Sequence, residues 1–230
     1  MMKTTVTVGG VLGTLLVLSM PCWAETYYLA PAPAGNDGAG GGPSSPWATF
    51  AHAIGEISAG DTLVVRDGSY EERVVIPIVG DAGNPVVVRA AVGASPVIEG
   101  GGVLPGSDAG LVELSGSHIT FEGFEVRGST AYGIAVSGAN NDVRRCTIHG
   151  NHLYSVRYFS ATGGVVEQNV IYDNVRANAG LIGLGSGCTL IQSSSDVRVQ
   201  DNTVRQNFGS GISVVEGEGI VVQRNTVYDN

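Results

Sequence analysis

The sequence predicts an all-β fold, a single-stranded parallel β-helix closed at its N-terminal end by one short helix. The first ground is a nine-residue phrase that returns four times, as VRRCTIHGN at Val143–Asn151, VEQNVIYDN at Val166–Asn174, VQDNTVRQN at Val199–Asn207 and VQRNTVYDN at Val222–Asn230. Its closing asparagines stand 23, 33 and 23 residues apart, the unit length of a solenoid carrying one insertion. The second ground is the columns: the first is valine throughout, and the sixth reads Ile148, Ile171, Val204, Val227. Short β-branched runs broken by Asn and Gly are strand letters. The third is a further run after each phrase, at Gly133–Val136, Ser155–Tyr158, Leu181–Leu184 and Gly211–Val214. One such unit cannot bury its own apolar side chains, whereas coils stacked about 4.8 Å apart align like residues into a continuous interior. Asparagine suits the bends in two ways: it tolerates left-handed backbone, and stacked amides hydrogen-bond from coil to coil.

From the N-terminus, Met1–Ala24 reads as a secretory signal peptide. Lys3 gives a basic start, Val6–Met20 is an apolar stretch shorter than a membrane span, and Pro21-Cys22-Trp23-Ala24 ends on a small residue. Residues 25–60 form a cap region. Its Gly/Pro/Ser loop Ala34–Pro46 leads to Trp47, Phe50, Ile54 and Ile57, a helical spacing over 47–57 with Ser44 or Ser45 as cap and Pro46 in the first turn. A solenoid end exposes strand edges and apolar interior, so a helix across the first coil is expected there. Residues 61–230 are coils. Thr62–Arg66, Arg73–Ile76, Pro85–Ala91 and Val97–Glu99 are Val-rich strands, and Phe121–Ser129 fits the phrase with Ser129 in the asparagine place. The chain stops at Asn230 on the last letter of a phrase, which reads as a solenoid cut short.

Charge narrows the partners. The formal charge is −9, and removal of Lys3, the only lysine, makes it −10. With no clustered basic footprint, nucleic acid is not an expected partner, and after signal cleavage neither is a membrane; the expected location is secreted or periplasmic. Cleavage leaves Cys146 and Cys188, which either pair in an oxidising compartment or remain thiols. The asparagine column around Cys146 favours a buried free thiol, and two cysteines alone do not make a zinc site.

The opening carries a resemblance. Tyr27-Tyr28-Leu29-Ala30-Pro31, Gly35-Asn36-Asp37, Pro46-Trp47-Ala48-Thr49-Phe50, Ala53-Ile54 and the run Gly60-Asp61-Thr62 to Gly68-Ser69-Tyr70-Glu71-Glu72 resemble the start of secreted right-handed parallel β-helix proteins. That group belongs to the pectate-lyase superfamily and is similar to polysaccharide lyase family 9, chondroitinase B, alginate lyases and mannuronan C5-epimerases. The resemblance spans the cap and first strands and implies the right-handed fold and export, with an acidic polysaccharide as partner and calcium as the family cofactor.

Such enzymes abstract a proton beside a carboxylate, which needs a base and a cation to neutralise that carboxylate. In family 9 the calcium ligands are aspartates on a strand and the base is lysine. The strands Gly133–Val136, Ser155–Tyr158, Leu181–Leu184 and Gly211–Val214 hold no acid, and no lysine follows Lys3, so neither calcium ligands nor base carry over to a residue here. Arg157 is the only ionisable residue on those strands, outward where neighbours have Ala135, Gly183 and Ser213, and His152 lies shortly before it. Arg157 and His152 are therefore the candidate catalytic pair, with an arginine solvated or ion-paired on a solenoid face as the alternative. His149 shares a column with Tyr172, Arg205 and Tyr228 and reads as an outward strand residue; Asp173 and Asp229 read as turn residues. The insertion, Val175–Asp196, is the expected functional loop. Three functions stay open: a lyase or epimerase of acidic polysaccharide, a non-catalytic glycan-binding or surface module, and a purely structural repeat.

Overall fold

The computed structural model describes residues 24–107, 109–174 and 187–230, together with the backbone of a short antiparallel pair, Thr4–Val8 and Val11–Leu15. The rest of the proposed leader and the strand expected at Leu181–Leu184 lie outside the described residues. Three parallel sheets of eight, seven and six strands wrap a common interior, and each strand pairs with its counterpart one coil away. One coil uses Asp142–Arg144 in the first sheet, Thr147–His149 in the second and Val156–Thr162 in the third. The nine-residue phrase thus holds two strands and the run after it a third.

The repeat columns become the interior. Phe121, Val143, Val166 and Val199 follow one another in register on the first sheet, and Val126, Ile148, Ile171 and Val204 on the second. All of these are essentially buried, each contributing on the order of 1.5–3 kcal/mol.

The asparagines occupy the corners differently from one of the two mechanisms expected. The left-handed residue is the one before each asparagine: Gln168, Asp201 and Arg224 at the first corner, and Gly150, Asp173, Gln206 and Asp229 at the second, all with φ between 53° and 66°. That turn swings the asparagine inward. Asn169 Nδ2 donates to Asn202 Oδ1 at 2.9 Å and Asn202 Nδ2 to Asn225 Oδ1 at 2.9 Å; a second stack runs through Asn151, Asn174, Asn207 and Asn230. Each carboxamide also accepts a backbone N–H of the preceding coil, which satisfies corner groups that burial would otherwise strand. Ser129 and Cys146 stand at the N-terminal ends of the two stacks. Cys146 is buried with a free thiol, and the Cys188 side chain lies outside the described residues.

Two boundaries move. The first sheet starts at Thr26–Leu29, paired in parallel with Thr62–Val65, one strand before Asp61. Helix α1 spans Phe50–Glu56 and is capped by Thr49, whose hydroxyl accepts from His52 N–H, not by Ser44 or Ser45. Trp47 cannot join the helix because its backbone bridges Leu29 and covers the outer edge of that strand.

The opening motif explains itself as a clasp. Asp37 accepts from the N–H groups of Ala48 and Thr49, Glu72 from those of Phe50 and Ala51 at the helix start, and Asp61 ties Glu25 N–H to Ser58 N–H. Phe50 packs edge-on against Tyr70 over the first coil. No helix of the described residues is long and apolar enough to cross a membrane.

Candidate functional site

The third sheet positions Arg157. Ile134, Val156 and Thr189 share one register row and point inward, so the next row, Glu113, Ala135, Arg157, Leu190 and Ser213, faces away from the interior, although Leu190 is itself covered and buried. The neighbour after Arg157 is Leu190, not Gly183 as the letters had indicated. The strand in that coil is Gly187–Gln192, because the insertion ends before it rather than after it. Residues 187–196 of the expected functional loop accordingly return to the sheet and its corner.

Small side chains open the site. Gly110 and Ala135 leave a groove of about 320 Å³, walled by Glu113, Tyr132, Ser137, Arg157 and Phe159. The Arg157 guanidinium lies 5.0 Å from the Tyr132 ring centre and 4.5 Å from that of Phe159, attractive placements for a cation on aromatic faces. It donates to Tyr132 Oη at 3.0 Å and to Gln192 Oε1 at 3.2 Å. None of these partners is a carboxylate, so among the described residues the positive charge is fixed in place without an acid to neutralise it. By contrast Arg73, Arg127, Arg144, Arg145 and Arg224 each pair with an acid. Glu113, the acid in the same outward row, is held by Arg73.

His152 is exposed on the turn after Asn151, where its N–H donates to Ser129 O at 2.9 Å. Its ring makes none of the contacts around Arg157, so the structure does not join the two candidates. His149 lies on the second sheet, stacked on Tyr172 at 4.7 Å and 3.2 Å from Glu125 Oε1. Among the described residues no three His, Cys, Asp or Glu side chains could hold a metal ion, and Glu113 is the only acid on the described third-sheet strands. That donor set does not fit a calcium cluster.

Tyr132, Phe159 and Gln192 complete the site and are not among the residues that the sequence singles out. Phe159 was detectable, since a residue two positions along a strand shares its face. Gln192 was not, because its place beside Phe159 depends on the register across the insertion.

A family model described as Pel9A-like, right handed beta helix region, matches residues 27–230. The chain is similar to the uncharacterized protein YwoF of Bacillus subtilis (strain 168), 28% identical over 211 residues that cover 84% of this chain and 44% of that protein. It is also similar to mannuronan C5-epimerase AlgE5 of Azotobacter vinelandii, 27% identical over 138 residues that cover 56% of this chain and 12% of the epimerase. The chain therefore spans less than half the length of either relative. Among solved structures, the complex of XylC with xylose has a TM-score of 0.68 at 12% identity, covering 89% of this chain and 62% of that one, a likeness of fold.

Proposed function

The chain belongs to the Pel9A-like right-handed β-helix family, and on that premise we propose that it is an exported protein that holds an acidic polysaccharide on the outer face of its third sheet. The observation that carries this is Arg157, an arginine fixed by two rings, a phenol and an amide, with no carboxylate partner among the described residues. A guanidinium so held matches the planar, bidentate geometry of a uronate carboxylate. Little ordering of the side chain remains to be done on binding.

The reaction favoured for such a substrate is β-elimination or C5 epimerisation, supported by the sequence similarity to a mannuronan epimerase. Both begin by removing the proton beside the carboxylate, which a cation on that carboxylate makes more acidic. Within the groove the carboxylate available to take that proton is Glu113, which Arg73 holds, and the Tyr132 hydroxyl, which accepts from Arg157, would be a base only as its phenolate. The absence of lysine after Lys3 favours a second reading, a binding module without turnover.

Incubation with polygalacturonate, alginate and chondroitin sulfate, with and without calcium, separates these readings. Growth of unsaturated-uronate absorbance identifies a lyase, and proton exchange at C5 without chain cleavage identifies an epimerase. Binding without either identifies the module. Failure to bind or convert any of the three polymers rejects the proposal.

A further inference from the structure

A second groove, of about 610 Å³, runs along the corner between the third and first sheets, away from Arg157. One wall is a column of corner residues, His118, Asn140, Gly163 and Asp196, one per coil and all with φ between 54° and 69°. The other is the outward row of the first sheet, Thr120, Asp142, Val165 and Arg198. Where Gly163 and Gly164 cross from one sheet to the other, the Asn140 side chain and the Asn141 backbone pack directly against them, so the floor there is closed backbone. Neither glycine tolerates a side chain: a Cβ on Gly163 would sit 2.3 Å from Asn140 Oδ1, and one on Gly164 would sit 2.2 Å from Asn141 O.

The polar groups along this groove differ in how far they are committed. Asp142 is engaged on both oxygens, by Val165 N–H at 2.9 Å and by Arg144 at 2.6 Å, and its charge is offset. Asp196 and Arg198 are exposed, and neither side chain has a hydrogen-bond or ion-pair partner among the described residues. The Asn140 amide reaches His118 at 3.3 Å, leaving its oxygen over the glycine floor. The uncommitted groups of the groove are thus the Asn140 oxygen, the Asp196 carboxylate and the Arg198 guanidinium, the last two opposite in charge.

We propose that this groove binds a linear neutral glycan lying along the solenoid axis, as a second polysaccharide site separate from the Arg157 face. Hydroxyl-rich sugars present both donors and acceptors, which suits Asp196, Arg198 and Asn140. A polyuronate would bring a negative charge at every unit against Asp196, with Arg198 as the one uncommitted cation of the groove to meet these charges. Four coils span three rises, about 14 Å, room for a few pyranose units in register with the coils.

Titration calorimetry with cellohexaose, xylohexaose and mannohexaose, and with hexagalacturonate as the acidic probe, tests this on the wild type, the Asp196→Ala/Arg198→Ala double variant and Arg157→Ala. At least one neutral hexaose is expected to bind, tenfold or more weaker in the double variant and unchanged in Arg157→Ala. Both substituted residues are exposed, so the thermal midpoint should hold. Binding of no neutral probe, binding equally strong in the double variant, or loss in Arg157→Ala instead would each overturn the proposal. The uronate reading of Arg157 is scored separately on hexagalacturonate.

Discussion

Asn174 and Asn207 are joined through their buried side chains at 3.0 Å across a coil of 33 residues, as closely as Asn151 and Asn174 are joined at 2.9 Å across one of 23. The extra residues leave the ladder untouched. The corner, rather than coil length, sets the rung spacing.

Removing a rung should therefore be expensive anywhere in the stack. In Asn202→Ala the amide and N–H of Asn169 and the carbonyl of Val166 lose their partner at once. A buried group left unsatisfied costs about 1–3 kcal/mol. Urea unfolding should show a loss of at least that size, with Asn202→Asp no better, because a carboxylate lacks the two donors and buries a charge. A loss within about 0.5 kcal/mol, typical of surface changes, would show the ladder to be ornamental.

Cys146 takes a ladder position without being an asparagine. Burial pushes its thiol up to about 12, so the reactive thiolate is scarce at neutral pH. Alkylation by iodoacetamide should follow global unfolding and not precede it. Cys146→Asn should be tolerated, since the residue already donates its N–H to Asn169 Oδ1 at 2.9 Å and the new amide would add one rung. A strongly destabilised Cys146→Asn would mean that the N-terminal end of the stack has no room for a carboxamide.

The cap gives a pH signature with two opposite parts. Burial raises the pKa of Glu72, opposed by the N–H groups of Phe50 and Ala51 and reinforced by Asp37. Its contribution to stability is thus full below the ordinary glutamate value and lost as pH rises through the raised folded value. For Asp37, burial raises the pKa, but hydrogen bonds from Ala48 and Thr49 outweigh it and the net shift is downward. Its contribution is present above the ordinary aspartate value and lost as pH falls. Glu72→Gln keeps an acceptor for Phe50 N–H and drops the charge. Measured from the carboxylate range to neutrality, Glu72→Gln should gain on the wild type as pH rises, and Asp37→Asn should lose ground. Parallel curves for all three proteins would contradict both assignments.

Much of this was readable in the letters. Valine and isoleucine columns announce the interior because inward positions of stacked coils must match, and the register confirms Val126, Ile148, Ile171 and Val204 as one row. The corner conformation was misplaced by one residue. Asn, Asp, Gln and Arg all adopt left-handed backbone here, so letter preference alone did not locate it. The first strand, Thr26–Leu29, had no repeat partner in sequence because the whole cap intervenes before Thr62. At the candidate site Arg157 stands out in the letters as a charge among Ala135, Gly183 and Ser213, whereas the structural row also holds Glu113 and takes Leu190 in place of Gly183. Its setting does not stand out, since Tyr132 and Gln192 reach it from neighbouring coils.

Phe159 should matter through Arg157. It is a half-exposed ring under the guanidinium, and its truncation creates no core cavity. Phe159→Ala should leave the thermal midpoint nearly unchanged and weaken uronate binding several-fold, consistent with a contact worth about 0.5–1 kcal/mol at an exposed site. Unchanged affinity would show that Tyr132 and Gln192 suffice to hold the guanidinium.

The most direct measurement is the affinity of the protein for hexagalacturonate and for a mannuronate hexamer by titration calorimetry, in the wild type, Arg157→Ala, Arg157→Lys and His152→Ala. The wild type should bind at least one of them, and Arg157→Ala should lose tenfold or more. Arg157→Lys should recover only part, since an ammonium lacks the bidentate fork, and His152→Ala should bind as the wild type does. Equal binding by wild type and Arg157→Ala, or no binding of either oligomer by the wild type, would contradict the uronate reading of Arg157.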